Sequence, residues 1–229
     1  MLDHQREFLQ LALHHHVLRF GEFVLKSGRV SPYFFNAGLF NDGAAISALG
    51  RTYATTLTAS GLGFDMLFGP AYKGIALATT VAIALADHHH RNVPLAFNRK
   101  EAKSHGEGGA IIGAPLAGRV LIVDDVITAG TAIREALGLI RDGGGTPAGI
   151  VIALDRQEVP PDGPALSAAE AVTAESGIPV IAVAGLDDLL AFAGESAELL
   201  DQRARLLAYR ARYGRRADQI DAPTGGTAT

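Results

Sequence analysis

The sequence has 229 residues, enough to bury a substantial core in one domain. A hydrophobic fraction of 48% and a charged fraction of 19% exclude disorder along the whole chain, and a formal net charge of -4 gives no global electrostatic reason to expect a nucleic-acid partner. Cysteine is absent, which excludes disulfides, thiolate metal sites and a cysteine nucleophile. The first apolar stretch is interrupted by His14, His15, His16 and Arg19, and no secretory pattern precedes it. No run of about twenty apolar residues follows either. A cytoplasmic protein without a membrane partner is expected.

Asp3 to Val17 reads as an amphipathic helix with Phe8, Leu9, Leu11, Ala12 and Leu13 on its apolar side. Two aromatic and branched runs between Phe20 and Phe35 flank Ser27-Gly28, a hairpin signal. Gly43 to Ser60 has helical spacing. The centre then repeats one theme, an apolar run emptying into a polar turn. Met66–Phe68 leads into Gly69-Pro-Ala-Tyr-Lys-Gly74 and a helix from Ile75 to Ala86. Val120–Val123 leads into Asp124-Asp-Val-Ile-Thr-Ala-Gly-Thr131 and a helix from Ala132 to Ile140. Gly149–Leu154 leads into Asp155-Arg-Gln157. Beyond the Pro-rich 158–164 stretch, helices are predicted at 165–175, 186–192 and 195–213, with a strand at 180–183. Apolar strands alternating with helices predict an α/β fold with a central parallel sheet flanked by helices. Ligands in such sheets lie beyond the carboxyl ends of the strands, so the three turns should share one site.

The sharpest motif is the strand-to-helix turn at 124–132. Two adjacent acids leave a strand, Thr128 and Thr131 offer hydroxyls, and Gly130 lets backbone approach a ligand before a helix begins. Unpaired N–H groups and the positive dipole end make a helix start a phosphate site. One acid can meet sugar hydroxyls while the other orients a hydrated metal or balances developing positive charge. The motif is not the nucleotide-triphosphate loop, since Gly-x-x-x-x-Gly-Lys-Ser/Thr is missing. The competing explanation for a lone Asp-Asp pair is simple helix capping. A second motif, 99–109, packs Arg99, Lys100, Lys103 and His105 beside three glycines. In isolation this composition suits a mobile charged surface loop. It also suits a lid whose cations stabilise an anionic leaving group. The histidine runs 14–16 and 88–90 read as surface residues, because consecutive helical positions point apart.

The 120–132 stretch resembles the phosphoribosyl-pyrophosphate motif of the type I phosphoribosyltransferases. Phe20-Gly-Glu-Phe23, Leu25-Lys-Ser-Gly-Arg29, Ser31-Pro-Tyr-Phe-Phe-Asn36, Phe68-Gly-Pro-Ala-Tyr-Lys-Gly74 and Asn98-Arg-Lys-Glu-Ala-Lys103 narrow the resemblance to the bacterial orotate phosphoribosyltransferases. It runs in order from about Gln5 to Tyr213. It implies one type I domain over 1–213, with a small N-terminal hood at about 1–40, and leaves 214–229 as a flexible tail.

The resemblance implies transfer of phosphoribosyl from phosphoribosyl pyrophosphate to orotate, with Mg²⁺ held mainly by substrate and water rather than by a protein cage. It assigns Asp124, Asp125, Val126, Ile127, Thr128, Ala129, Gly130, Thr131 and Ala132 to the ribose and its 5-phosphate. Tyr72 and Lys73 go to pyrophosphate. Lys26, Phe34 and Phe35 go to the base, and Arg156 to the base's carboxylate, which a guanidinium fork matches. Taken without the family, Arg156 reads as a surface charge, Phe34-Phe35 as core and Lys26 as a turn lysine. The 99–109 lid, with Arg99, Lys100, Lys103 and His105, is implied to serve the neighbouring subunit of a shared-site homodimer. Lys103, His105, Asp124 and Asp125 are the expected catalytic residues. Ser104 stands where the family pattern leads one to expect an acid. Two rivals remain. A purine phosphoribosyltransferase would keep the 124–131 logic but has no reason to keep Lys26, Phe34, Phe35 and Arg156. A phosphoribosyl-pyrophosphate-sensing regulator would show a basic docking surface and an eroded lid.

Overall fold

The computed structural model describes residues 1–25, 27–100, 110–128, 130–160 and 165–214. Helix α1 (Asp3–His14) leads into a two-stranded antiparallel hairpin, β1 (Leu18–Val24) and β2 (Val30–Phe35). The helix stops three residues before Val17 because His16 turns to a φ of +56°. Helix α2 (Gly43–Ser60) is capped by the Asp42 side chain, which accepts from the Ala45 N–H.

The main sheet comprises β3 (Met66–Gly69), β4 (Leu95–Asn98), β5 (Ile111–Gly113), β6 (Arg119–Val123), β7 (Thr146–Asp155) and β8 (Val180–Gly185), in the spatial order β5-β4-β3-β6-β7-β8. Four of the five pairings are parallel, and β5 pairs antiparallel with β4. The sheet is therefore mixed, not wholly parallel as the sequence pattern led one to expect. Strands β4 and β5 escape sequence reading because four and three residues carry no usable periodicity. Helix α3 (Lys73–His89) crosses over between β3 and β4, α4 (Thr131–Asp142) between β6 and β7, and α5 (Ala168–Ser176) between β7 and β8. Reciprocal bonds between Ser167 and Glu170 start α5 at Ala168, three residues later than predicted. Helices α6 (Leu186–Gly194) and α7 (Leu200–Tyr213) close the chain, α7 starting later than the 195 expected.

Alternation along the strands builds a core on each face of the sheet. Val120, Ile122, Ile150 and Ile152 join Ile133, Ile140 and Val172 of α4 and α5 on one face. Leu121, Val123, Val151 and Ala153 join α1, α2, α3, α6 and the hairpin on the other. The hairpin is tied into this second core through Leu18 and Tyr33. Gly214, which the sequence reading assigned to the tail, pairs with Glu158 in an isolated bridge. Residues 215–229 lie outside the described residues. Among the described residues no helix is long and apolar enough to cross a membrane.

Candidate active site

Strand order reverses between β3 and β6: the chain runs outward one way through β4 and β5, then the other way through β7 and β8. A crevice opens at such a switch point because the flanking crossovers leave in opposite directions. The turns after β3 and β6 meet there. Lys73 Nζ lies 2.6 Å from Asp125 Oδ2, with the Lys73 side chain 56% exposed and that of Asp125 10% exposed. Backbone packing enforces the approach. A Cβ on Gly69 would stand 2.2 Å from the Gly74 carbonyl oxygen, and one on Gly74 would meet Pro70 at 2.6 Å and the Val123 carbonyl oxygen at 2.9 Å. Only glycine fits at either position.

The two acids have different surroundings. Asp125 is buried against the sheet, its carbonyl oxygen accepting from the Ala153 N–H and its carboxylate held by Lys73. Asp124 accepts the Asp125 N–H at 2.9 Å, and its carbonyl oxygen accepts from the buried Tyr53 hydroxyl at 2.8 Å. Burial, reinforced by the charge of Asp125, pushes the Asp124 carboxyl up to about 6, partly offset by the Asp125 N–H and Lys73. Beyond the acids the loop divides its labour. Val126 packs on one core and Ile127 is buried in the other, so these two side chains anchor the loop. Thr128, Thr131 and Ala132 are exposed around the start of α4, where the first backbone N–H groups have no side-chain cap. Gly130 takes a φ of +73° at the helix cap. Ala129 lies outside the described residues.

Tyr72 is 69% exposed beside Lys73, and Lys100 Nζ stands 5.0 Å from its ring centre. Asn98 links the same turn to the 99–109 motif, its Oδ1 accepting the Ala71 N–H at 2.8 Å. The motif's base is closed by the Arg99 N–H donating to the Ala110 carbonyl at 2.8 Å. Residues 101–109, including Lys103, Ser104 and His105, lie outside the described residues, as does Lys26.

The third turn faces the hairpin. Arg156 stacks over the Tyr33 ring at 4.4 Å, while its Nη2 donates to Ser31 Oγ at 3.2 Å and pairs with Glu158 Oε1 at 2.5 Å. Burial works against the Arg156 charge, and Tyr33 and Glu158 more than restore it, so the guanidinium is held firmly cationic. Both polar contacts use Nη2. Both paired-donor edges of a guanidinium, Nε–Nη2 and Nη1–Nη2, include that nitrogen; among the described residues Nε and Nη1 have no protein partner and remain as separate donors for a carboxylate. Strand alternation separates the two phenylalanines. Phe34 lies against Phe23 and under Arg19, whereas Phe35 packs on Phe8. Only one of the two rings can face any given ligand. The histidine runs sit at the surface, with His14, His16, His88 and His90 exposed.

Sequence reading passed over Tyr53, Tyr33, Asn98 and Glu158. Tyr53 and Tyr33 look like core residues, and Asn98 and Glu158 like polar loop residues. Only tertiary contact reveals their service to the site.

This arrangement joins a cation, paired acids and a phosphate-ready helix start at one switch point, and comparison with known proteins places it in a class. Residues 39–166 match the phosphoribosyl transferase domain family. Among curated relatives, the orotate phosphoribosyltransferase of Xanthomonas oryzae pv. oryzae is 66% identical over 215 residues, covering 93% of this chain and 98% of the relative. That of Stenotrophomonas maltophilia is 63% identical over 218 residues, covering 95% and 99%. The crystal structure of the Francisella tularensis orotate phosphoribosyltransferase superposes with a TM-score of 0.82 at 40% identity, over 90% of this chain and 98% of that one. The chain belongs to the orotate phosphoribosyltransferase family.

Proposed function

We propose that the chain transfers the 5-phosphoribosyl group of phosphoribosyl pyrophosphate to orotate, giving orotidine 5′-phosphate and pyrophosphate. The observation that carries the reading is the Lys73–Asp125 contact at the β3–β6 switch point, which sets a cation beside two acids at the start of α4. The orotate nitrogen forms the new bond to ribose C1 as the C1–oxygen bond to pyrophosphate breaks, with inversion and a transition state of oxocarbenium character. Asp124 and Asp125 hold the ribose hydroxyls and balance its positive charge. The 126–132 loop and the first turn of α4 hold the 5-phosphate. Lys73 and Tyr72 face the departing pyrophosphate. Arg156 meets the base carboxylate through the donors on Nε and Nη1 that Ser31 and Glu158 leave open, and Lys26 with one of the two rings, Phe34 or Phe35, encloses the base.

Arg99, Lys103 and His105 complete the pyrophosphate side from a neighbouring subunit, in a homodimer with shared sites, while Lys100 stays beside Tyr72 of its own chain. One domain over 1–213 carries all of this, with the hood at about 1–40, and the protein works in the cytoplasm. Phosphoribosyltransferases generally use Mg²⁺, and the donors present suit an ion bound mainly through substrate oxygens and water. Asp125 is engaged by Lys73, and Asp124 offers a carboxylate nearby. When bound, the ion supplies charge neutralisation for the pyrophosphate.

The test is to incubate the protein with phosphoribosyl pyrophosphate, Mg²⁺ and either orotate or a purine base, resolving products chromatographically. Orotidine 5′-phosphate and pyrophosphate should form in equal amounts. Consumption of a purine with orotate untouched would overturn the assignment.

A further inference from the structure

Arg156 sits on a loop just past the end of β7, a position from which a long side chain could swing widely. It is nonetheless fixed on three sides. Tyr33 lies beneath its plane, Ser31 accepts from Nη2, and Glu158 grips the same nitrogen at 2.5 Å. Glu158 is itself unusually well held for a residue at the start of a Pro-rich stretch. Its backbone bridges Gly214 at the end of α7, and the Val159 N–H donates to the Tyr213 carbonyl at 2.8 Å. Arg29 ties the same segment from the hairpin side, its Nη2 donating to the Val159 carbonyl at 2.7 Å while its guanidinium lies 4.6 Å from the Tyr213 ring centre. The carboxylate of Glu158 also stands 4.0 Å from Arg29. Side-chain exposures of 17% for Arg156 and 14% for Glu158 put this pair where water screens it little.

We infer that Glu158 is a positioning residue for base selection: by holding Nη2 of Arg156 it fixes the guanidinium, with its remaining donors on Nε and Nη1 open to the base site. The inference rests on the reading of Arg156 as the carboxylate contact. Its physical basis is pre-organisation. A mobile arginine loses rotamer freedom when it captures a ligand, whereas one already held by an ion pair, a ring and a hydroxyl has lost most of that freedom beforehand. Glu158 does not touch the base. It therefore affects ligands that use the remaining Arg156 donors and leaves others alone. Helix α7 enters base selection indirectly, as the anchor of Glu158.

The experiment compares wild type, Glu158→Ala, Glu158→Gln and Arg156→Ala as full-length proteins with Mg²⁺ present. It measures KM for orotate, KM for phosphoribosyl pyrophosphate, and inhibition by the uncharged carboxamide analogue of orotate. Glu158→Ala should raise the orotate KM about tenfold, the scale of one lost charge-assisted contact, with the other two constants unchanged. Glu158→Gln keeps the side chain's length and an oxygen beside Nη2 and should restore most of the loss. A rise shared equally by all three constants would indicate general loosening of the fold and overturn the inference, as would an unchanged orotate KM. If Glu158→Ala does not fold, Glu158→Asp withdraws the carboxylate by one methylene. It should then raise the orotate KM alone, and no rise refutes the inference. Should Arg156→Ala leave discrimination between orotate and the carboxamide intact, the base-recognition reading itself fails and the Glu158 step falls with it. Loss in Arg156→Ala without any effect of Glu158 variants removes the Glu158 step only.

Discussion

Replacing Asp124 by Asn should make the stability of the protein less dependent on pH, and the size of the change follows from where Asp124 sits. In the folded protein its carboxyl is pushed from the ordinary 3.8 up to about 6, by burial first and by Asp125 second. The folded state therefore holds that proton more tightly than the unfolded chain does. The associated stabilisation is fully present below pH 3.8 and is lost as the pH rises through about 6. At 1.36 kcal/mol for each pH unit of difference, the full loss comes to about 3 kcal/mol, of which about 2.4 kcal/mol falls between pH 4 and pH 7. Asparagine keeps an oxygen for the Asp125 N–H and carries no charge, so the variant escapes this loss. Urea unfolding of both proteins from pH 4 to pH 8 should show midpoints that nearly coincide at the acid end. At neutral pH Asp124→Asn should be the more stable by up to about 3 kcal/mol, and much less active. Parallel stability curves, with a constant gap across the range, would refute the claim that an ionised, desolvated Asp124 is a cost the fold carries at this site.

Arg156→Ala should lower orotate use by about ten- to a hundredfold, corresponding to roughly 1.5–3 kcal/mol of charge-assisted contact, and should shift preference toward uracil. An unchanged orotate-to-uracil ratio of kcat/KM argues against Arg156 as the carboxylate contact. Asn98→Ala removes the acceptor for the Ala71 N–H and should weaken phosphoribosyl pyrophosphate use by about fivefold while circular dichroism stays unchanged, a loss near one net hydrogen bond. Equal KM for phosphoribosyl pyrophosphate in variant and wild type would dismiss that role. Lys103→Ala mixed with Asp124→Asn/Asp125→Asn tests the shared site. About half of randomly exchanged dimers would carry one intact site, so activity should return to roughly a quarter of wild type for a two-fold symmetric pair. Exchange verified by native mass spectrometry without recovered activity rules out a lid serving the partner.

The order of apolar runs and glycine turns was enough to derive the α/β class, most helices and the two loops, after β3 and β6, that meet at the switch point. Strand periodicity and turn chemistry are local properties, so Val120 to Thr131 announces a strand, a phosphate loop and a helix start without any tertiary context. The resemblance added functional roles to residues such as Arg156 that carry no local signal of their own. Other features needed the folded chain. Strand order is a matter of which edges meet, and nothing in the short runs at 95–98 and 111–113 says that one pairs parallel with β3 and the other antiparallel beside it. The Lys73–Asp125 contact joins residues 52 positions apart, brought together because β3 and β6 are neighbours at the reversal of the sheet. Phe34 and Phe35, adjacent in sequence, part to opposite faces once β2 is a strand. The elevated carboxyl of Asp124 and the grip of Glu158 on Arg156 depend on burial and on partners from α2, the hairpin and α7. Desolvation and contact are three-dimensional quantities: the order of residues names the groups that can ionise or bond, and only the packed chain sets which of them lose water and which partners they face.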